Sequence, residues 1–310
     1  MSRNIIKELK TASFKTFISL VKPLWGKGLA RIPPLGAIYR YLYRNLSVNE
    51  IIMQVHSGRM IIRTSYLDGF SNELLYRNAY EQYETKLFEQ FVIKGTTVVD
   101  IGANVGYYTL LAAKLSGNKG KVFAFEPEPD NYALLVRNIE LNNYGNVIPV
   151  KMAVTSRKGE ANLFINKEPG THGFLPDREG VVGITTVETI SLDEYFKGRE
   201  YPINIIKIDV EGSELEVLAG MQNVISHNKN IKIFTEFWPL GLEKCGSPPR
   251  RYWDILIKSG FKHIYLINEQ EQRLEPTDFS SVMRYCEDTS IGKLPSANLL
   301  CVKMPLKVMQ

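Results

Sequence analysis

The sequence has few cysteines and no long apolar run, and each shortage excludes a class of protein. Its three cysteines, Cys245, Cys286 and Cys301, are odd in number and widely separated. That spacing fits neither a disulfide framework nor a zinc cluster, and it indicates a reducing compartment, which we take to be the cytoplasm. No stretch approaches the roughly 18 uninterrupted apolar residues of a membrane-spanning helix. The amino-terminal residues also lack the apolar core and small-residue cleavage site of a signal peptide.

Two common nucleotide-binding signatures are missing as well. The strand-like residues 96–101 lead into Gly102 and Gly106, which are four residues apart. The third glycine of a dinucleotide fingerprint and the G-K-[ST] of a phosphate-binding loop are both absent. Asp100 ends the strand, where its charge would repel a pyrophosphate but suits an ammonium or sulfonium group. The bend therefore favours a cationic ligand over a dinucleotide.

A second acid follows the next strand-like run. Residues 121–125 lead directly into Glu126 and Pro127. An acid at the tip of the second parallel strand is placed to bind the two hydroxyls of a ribose. Together with Asp100 and the glycine bend it predicts a nucleoside pocket, and S-adenosylmethionine combines a ribose with an ammonium and a sulfonium group. The alternative is an ordinary glycine turn in an α/β sheet, with the acid serving as a helix cap.

The chain carries a series of motifs in a fixed order: D-I-G-A-N-V-G-Y-Y-T from Asp100, then F-E-P, N-I-E-L-N, K-I-D-V-E-G-S-E-L-E-V-L from Lys207, and a late N-L-L-C-V. On these motifs it resembles the FkbM-type S-adenosylmethionine-dependent methyltransferases over residues 83–302. The resemblance implies a class I methyltransferase, Rossmann-like α/β fold with a seven-stranded, mostly parallel sheet and helices on both faces. It also implies O-methylation of a hydroxyl, commonly on a sugar or a secondary metabolite.

The pattern and the resemblance together assign a cofactor site. We expect S-adenosylmethionine to contact Asp100, Gly102, Ala103, Asn104, Gly106, Tyr107, Glu126, Pro127 and Ala153. The glycine bend is expected to turn its amide N–H groups outward, where a ligand can approach the backbone closely. Ala153 enters this set only through the resemblance, which implies that it lies beside the adenine ring.

The candidate catalytic carboxylates follow later strands. Asp209 and Glu211 come after the strand-like residues 203–208, and Glu236 ends the next such run. Asp209 is the first candidate for the base that accepts the proton of the attacking hydroxyl. Asp209 and Glu236 could hold Mg²⁺ through their oxygens, or they could form a base and a hydrogen-bond acceptor for a sugar hydroxyl. The alternative for Glu211 is interaction with the amino terminus of the following helix, where Ser213 and Glu216 suggest a capping box and a helix running to about residue 224.

Residues 155–190 form a turn-rich insertion that contains His172. Long loops at the carboxyl ends of parallel strands shape substrate sites, so we expect the insertion to bind a small-molecule or glycan acceptor. His172 is a further candidate base because the pKa of histidine lies near neutrality. The alternative is a solvent-exposed loop histidine.

The basic character of the chain belongs to its amino-terminal arm, residues 1–48. Residues 1–45 hold nine Lys and Arg against Glu8 alone, a net charge of +8, so the rest of the chain carries −3 of the total of +5. Two apolar stripes at helical spacing lie in the arm: Phe14, Phe17, Ile18 and Val21, then Leu35, Ile38, Tyr39, Leu42 and Leu46. We expect these helices to pack on the catalytic domain, to pack on a second subunit of a homo-oligomer, or to make peripheral contact with the inner membrane surface. We do not expect nucleic acid as a partner, because no binding motif accompanies the charge.

Residues 49–92 are predicted to form a hairpin and a helix that lead into the methyltransferase domain, residues 93–310. The helix is expected over residues 72–91, with an exposed Glu84, although the pair Tyr83-Glu84 matches a Tyr/Trp-Glu position of the family. Two other functions stay open. A nicotinamide-dependent sugar oxidoreductase also has an acid on the second strand, but the chain lacks a Y-x-x-x-K pair. A non-catalytic scaffold that docks on a membrane or a partner would keep the fold without turnover.

Overall fold

The computed structural model describes residues 2–25, 27, 32–64, 69–166, 173–174, 180–199, 201–288 and 295–306. The candidate base His172 lies outside these residues. The chain divides into two compact units, Met1–Tyr80 and Glu81–Gln310. Within the described part of the chain, no helix has both the length and the apolar character needed to cross a bilayer.

In the described residues the first unit has three α-helices and one hairpin: α1 (Ser2–Val21), α2 (Pro33–Leu46), β1 (Glu50–Val55), β2 (Gly58–Arg63) and α3 (Gly69–Arg77). The predicted hairpin is confirmed, since β1 and β2 pair antiparallel. Helix α2 begins at a proline, whose fixed φ suits the first turn of a helix.

The apolar stripe of α1 is buried against α2. Phe14 is fully buried, with its ring 5.3 Å from that of Tyr43. The ring of Phe17 stacks on Tyr39 at 5.9 Å. The predicted stripe of α2 is divided. Its Tyr39 packs on α1, as does the neighbouring Tyr43, whereas three of its aliphatic residues are exposed: Leu35, Ile38 and Leu42. The two helices therefore use their aromatic rings to pack and leave aliphatic surface uncovered.

The single helix predicted over residues 72–91 is wrong. Helix α3 ends at Arg77, and the second unit begins with a separate helix, α4 (Gln82–Phe91). Asn78 and Glu81 between them have φ angles of 60° and 43°. These left-handed conformations end a right-handed helix. Glu269 then accepts hydrogen bonds from the first-turn amides of α4, at 3.0 Å from Tyr83 N and 2.7 Å from Glu84 N.

The second unit is built on one eight-stranded sheet. Its strands are β3 (Thr97–Ile101), β4 (Lys121–Phe125), β5 (Val147–Val150), β9 (Ile205–Ile208), β10 (Lys232–Phe237), β11 (His263–Asn268), β12 (Arg273–Pro276) and β13 (Ala297–Val302). The order across the sheet is β12-β11-β13-β10-β9-β3-β4-β5. Strands β5, β4, β3, β9 and β10 run parallel, and β13 is antiparallel to both of its neighbours. Strand β12 at the edge was not predicted, and it extends the expected seven strands to eight.

Helices connect these strands: α5 (Tyr107–Ser116), α6 (Pro129–Leu141), α7 (Leu192–Tyr195), α8 (Glu214–Ala219), α9 (Gln222–His227), α10 (Pro239–Lys244), α11 (Pro249–Lys258) and α12 (Phe279–Glu287). In the predicted insertion, β7 (Gly159–Asn166) pairs with β8 (Val181–Ile190), and β8 also pairs with β6 (Ala153–Val154), which directly precedes the insertion. Every residue of β3 is buried, as expected for a parallel strand at the centre of a sheet. The chain runs outward from β3 through β4 to β5 and then returns to β9 on the other side of β3. The carboxyl ends of β3 and β9 therefore form a topological switch point, where open α/β sheets bind ligands.

The capping box and the continuous helix predicted after residue 213 are wrong. Ser213 makes no side-chain cap, and the buried Glu214 carboxylate instead accepts from Gly212 N at 3.1 Å and Val210 N at 3.3 Å. Helix α8 ends before Gly220, where a Cβ atom would lie 2.1 Å from the Thr155 carbonyl oxygen. The turn between α8 and α9 thus packs directly on the start of the insertion.

Candidate active site

The glycine bend after β3 lies against the end of the neighbouring strand β4. Gly102 N and Ala103 N donate to the Phe125 carbonyl at 3.0 and 2.9 Å. Asn104 N donates to Glu126 Oε2 at 2.8 Å, and Gly106 N donates to the Ala103 carbonyl at 2.8 Å. The expectation that these amides point outward to a ligand is wrong, because their hydrogen bonds are accepted by Phe125 and Glu126 at the end of β4 and by Ala103 within the bend.

Both glycines of the bend have left-handed φ angles, and backbone packing adds a steric requirement at Gly102. Gly102 has φ +78°, and a Cβ atom there would lie 1.8 Å from the Asp209 carbonyl oxygen. Gly106 has φ +99°, and its Cβ atom would lie 2.7 Å from Leu135 Cδ1. Residues other than glycine rarely adopt either of these φ angles. Gly102 therefore allows the end of β9, which carries Asp209, to lie directly against the bend.

Glu126 is held at the tip of β4 by two backbone amides. Its Oε2 accepts from Asn104 N and its Oε1 accepts from Glu128 N, both at 2.8 Å. Burial raises the pKa of Glu126 to about 8, although the two hydrogen bonds oppose the shift. A carboxylate has about four lone-pair positions, so two remain for further donors. Pro127 is half-buried beside it.

Asp100, at the end of β3, is buried and accepts a hydrogen bond from Thr109 Oγ1 at 2.5 Å. Burial raises the pKa of Asp100 to about 6, and the Thr109 hydrogen bond and the charge of Lys207 partly offset this. The parallel register places Asp100 opposite Lys207 of β9. The first predicted acid of the cofactor site thus lies next to the predicted catalytic strand.

Two other predicted cofactor residues lie in packed surroundings. Tyr107 is buried in the first turn of α5, with its hydroxyl 3.3 Å from Thr85 Oγ1. Ala153 is buried in a small apolar cluster with Leu163 and Val187 of the insertion. Its strand β6 follows β5, so the insertion begins beside the edge of the sheet that carries the candidate site.

A buried ion pair lies under the candidate catalytic edge. Lys207 Nζ lies 3.0 Å from Glu84 Oε1 and 3.5 Å from Asp209 Oδ2, and the side chains of Lys207 and Glu84 are almost fully buried. Burial alone would lower the pKa of Lys207, but Glu84, Asp209 and Glu81 raise it well above its usual value. Burial raises the pKa of Glu84 to about 8, against the opposing charge of Lys207. The predicted exposure of Glu84 is wrong.

The sequence does contain a signal for this burial. Glu84 shares a face of α4 with Leu87 and Phe88, three and four residues further on, and both are buried. An acid on the apolar face of a helix requires a buried partner. Lys207 stands in an otherwise apolar strand and is the matching residue.

Glu81 adds a second carboxylate to the same cluster. Its Oε2 accepts from Tyr108 Oη at 2.9 Å, and its Oε1 accepts from Asn298 Nδ2 at 2.7 Å. The Lys207 ammonium group lies 5.0 Å from the centre of the Tyr108 ring. Burial raises the pKa of Glu81, and Lys207 opposes that shift. None of Glu81, Tyr108 and Asn298 was predicted as a site residue.

Asp209 is partly accessible to solvent, since 31% of its side chain is exposed. Glu236, at the end of β10, is half-buried. Burial and then the charges of Asp209 and Glu214 raise the pKa of Glu236 well above its usual value. Burial also raises the pKa of Glu214 to about 7. The edge therefore combines an ion-paired Asp209 with a Glu236 carboxyl that tends to hold its proton.

Glu211 lies in the turn after β9 with φ +53°, beside Gly173 of the insertion. A Cβ atom on Gly173 would lie 3.5 Å from Glu211 Cβ. The insertion therefore reaches the carboxyl edge of the sheet at Glu211.

The magnesium prediction for Asp209 and Glu236 gains no support. Among the residues that the structure describes, no group of three or more His, Cys, Asp or Glu side chains is arranged to hold a metal ion. The nearest cation to Asp209 is instead the ammonium group of Lys207.

Several known proteins that are similar to this chain are methyltransferases. A family model described as "Methyltransferase FkbM domain" matches residues 100–271, more than half of the chain. The hexuronic acid methyltransferase AglP of Haloferax volcanii is 38% identical over 133 residues, which are 41% of this chain and 50% of AglP. Methyltransferase sdnD of Sordaria araneosa is 30% identical over 155 residues, which are 40% of this chain and 60% of sdnD.

The match to these curated relatives thus spans about half of their length. Among solved structures, the methyltransferase FkbM of Methylobacillus flagellatus aligns over 76% of this chain and 55% of its own. The sequence identity is 16% and the TM-score is 0.40.

Proposed function

The chain belongs to the FkbM methyltransferase family, and from this premise we propose that it transfers the methyl group of S-adenosylmethionine to a hydroxyl oxygen of a sugar or glycan. The observation that carries the proposal is the meeting of three strand ends. Asp100, Glu126 and Asp209 end adjacent parallel strands around the Gly102 bend. Family membership favours methyl transfer over the nicotinamide-dependent alternative.

The residues at the bend fit S-adenosylmethionine by their chemistry. Glu126 is fixed by two amides and has lone pairs left for the ribose hydroxyls. Asp100 adds a second acid, and the positive ammonium and sulfonium groups of the ligand would favour the ionised form of both buried carboxyls. S-adenosylmethionine, when bound, supplies a methyl group activated by the positive sulfur. In this assignment Asp100, Glu126 and residues 102–107 bind and orient it, with Pro127 and Ala153 lining the site.

We assign proton removal to Asp209. Its carboxylate is partly exposed at the sheet edge, and Lys207 Nζ lies 3.5 Å from its Oδ2 atom. Glu236 has a raised pKa at the end of the adjacent strand, so it serves as a hydrogen-bond donor that positions the acceptor hydroxyl. Aligning the two reactants is the larger contribution, since orientation effects reach roughly 7–11 kcal/mol of the barrier.

A hydroxyl acceptor suits the charge of this edge better than a carboxylate would. One lysine faces the carboxyls of Glu84, Glu81 and Asp209, so an anionic attacking group would be repelled. The name of the relative AglP supports a sugar as the acceptor class, and Gly173 of the insertion lies beside Glu211 at the same edge. We propose a sugar rather than a nucleic acid as the partner, because the residues after the arm carry a net charge of −3. The proposal of a cytoplasmic location rests on the three widely separated cysteines.

Calorimetry with S-adenosylmethionine tests the cofactor site. We expect Asp100→Asn and Glu126→Gln each to weaken binding at least tenfold, since each removes a charge-assisted contact worth about 1.5–3 kcal/mol. Glu140→Gln is the matched control, because Glu140 is exposed on α6. Unchanged affinity in both site variants would overturn the assignment.

A second assay tests turnover. The chain is incubated with methyl-labelled S-adenosylmethionine and a panel of neutral sugars, uronic acids and glycan extracts. We expect the label to appear in a methyl ether formed at a sugar hydroxyl. In Asp209→Asn this labelling should be lost while cofactor binding is retained. Tight cofactor binding without transfer to any acceptor in the panel would favour the non-catalytic scaffold.

A further inference from the structure

Helix α2 of the first unit presents a contiguous aliphatic face to solvent. Leu35, Ile38 and Leu42 are 44%, 53% and 37% exposed, and Tyr41 beside them is 68% exposed. Residues at positions i, i+3 and i+7 form one stripe along a helix. Since Tyr39 and Tyr43 on the adjoining face of α2 pack on α1, this stripe is not the buried face of the two-helix pair.

The stripe continues into a groove between α1 and α2. The groove is lined by Leu9, Lys10, Ser13, Asn45 and Leu46. Its surface is mostly apolar, and Lys10 places a positive charge at its edge. Leu9 is itself 63% exposed, so the two helices together form one uncovered apolar surface, the α1–α2 surface.

The unit that carries the α1–α2 surface is strongly positive. Arg40 and Arg44, one helical turn apart on α2, are both exposed, on the face of the helix that is turned away from the stripe. They belong to the nine basic residues that give residues 1–45 a net charge of +8, whereas the rest of the chain carries −3. A second copy of the chain would bring two such basic units together and repel. An anionic surface would attract the arm and not the catalytic unit.

We propose that the α1–α2 surface docks on an anionic lipid membrane. Leu35, Ile38 and Leu42 would enter the boundary between headgroups and acyl chains, as the apolar faces of interfacial amphipathic helices do. Lys10, which lines the groove, would contact the anionic headgroups, while Arg40 and Arg44 on the far face of α2 would add to the longer-range attraction of the arm to the anionic surface. This role uses none of the residues assigned to the candidate active site.

Vesicle sedimentation of the full chain tests the proposal. The probes are vesicles of phosphatidylcholine alone and vesicles of phosphatidylcholine with phosphatidylglycerol. The test variant is Ile38→Asp with Leu42→Asp. The control is Ile93→Asp with Ile257→Asp, which changes the same net charge at residues that are similarly exposed, at 67% and 41%. We expect salt-sensitive binding to the anionic vesicles only, roughly tenfold or more weaker in the test variant and unchanged in the control.

Three results would overturn the proposal: no binding to anionic vesicles, equal binding to neutral vesicles, or wild-type binding by the test variant. A chain that sediments as a dimer, and as a monomer once Ile38 and Leu42 are replaced, would instead assign the surface to a second copy. Calorimetry with S-adenosylmethionine in the absence of vesicles accompanies each variant. Equal cofactor affinity throughout separates failure of the docking proposal from failure of the proposed function.

Discussion

Replacing Gly102 by alanine should damage both the stability and the site. The added Cβ atom would lie 1.8 Å from the Asp209 carbonyl oxygen, where real Cβ atoms essentially never come closer than 3.0 Å. The bend and the end of β9 must therefore separate by more than 1 Å. Overpacking of this kind costs about 1–3 kcal/mol, and the left-handed φ of +78° costs an alanine about 1–2 kcal/mol more. We expect a total loss of about 2–5 kcal/mol in the free energy of unfolding.

The same separation should disturb Asp209. Its contact with Lys207 is 3.5 Å long, so a shift of this size breaks it. Misplacement of a reacting group by 1 Å can cost about 100-fold in rate. We therefore expect methyl transfer by Gly102→Ala to fall far more than its folded fraction does.

Gly95→Ala is the matched control for this prediction. Gly95 has a similar φ of +88°, but nothing lies within 4 Å of the position its Cβ would take. It should lose only the conformational cost of about 1–2 kcal/mol. Urea unfolding of both variants, with equal m values, gives the comparison. If Gly102→Ala and Gly95→Ala lose the same free energy, and transfer survives in both, the role assigned to Gly102 is refuted.

Three further predictions follow from the buried carboxyls. Lys207→Met should lower the free energy of unfolding by about 3–5 kcal/mol because it leaves Glu84 without its ion partner. The double variant with Glu84→Gln should recover part of this in urea unfolding, and no recovery would contradict the pairing. Asp209→Asn should reduce kcat by about 100- to 10,000-fold with unchanged S-adenosylmethionine affinity, and an unchanged kcat would remove Asp209 as the base. Because folding raises the pKa of Asp100 to about 6 and of Glu126 to about 8, the folded state binds more protons than the unfolded chain, so Tm should fall as the pH rises from about 5 to about 8. Calorimetric scans across that range check the sign, and Glu126→Gln should reduce the slope.

Much of the sheet could be predicted because its signals are local. The apolar run before Gly102 predicted β3, and the acids that follow β4 and β9 or lie in the last two residues of β10 were correctly placed at strand ends. The hairpin of β1 and β2 was also visible in the alternation of apolar and polar residues. These features depend on neighbouring residues and on the alternation of buried and exposed positions.

The errors concern contacts between distant parts of the chain. The bend amides find their acceptor on β4, and Gly102 faces the carbonyl of residue 209, so neither role was apparent from the bend alone. The burial of Glu84 depends on Lys207, more than a hundred residues away. The edge strand β12 pairs only with β11, and its short run of mixed residues gave no strand signal.

The contacts of α4 set the shortest fragment that can keep the catalytic unit intact. Glu81 is bonded to Tyr108 and to Asn298 of the last strand, and Glu269 caps the helix that follows. Residues 81–92 thus connect the beginning of the unit to its carboxyl-terminal strands. A polypeptide that begins at residue 93 would retain all eight strands, but it would expose Lys207 and lose the hydrogen bonds that Glu81 accepts from Tyr108 and Asn298. Deletion from the amino terminus should therefore stop before residue 81.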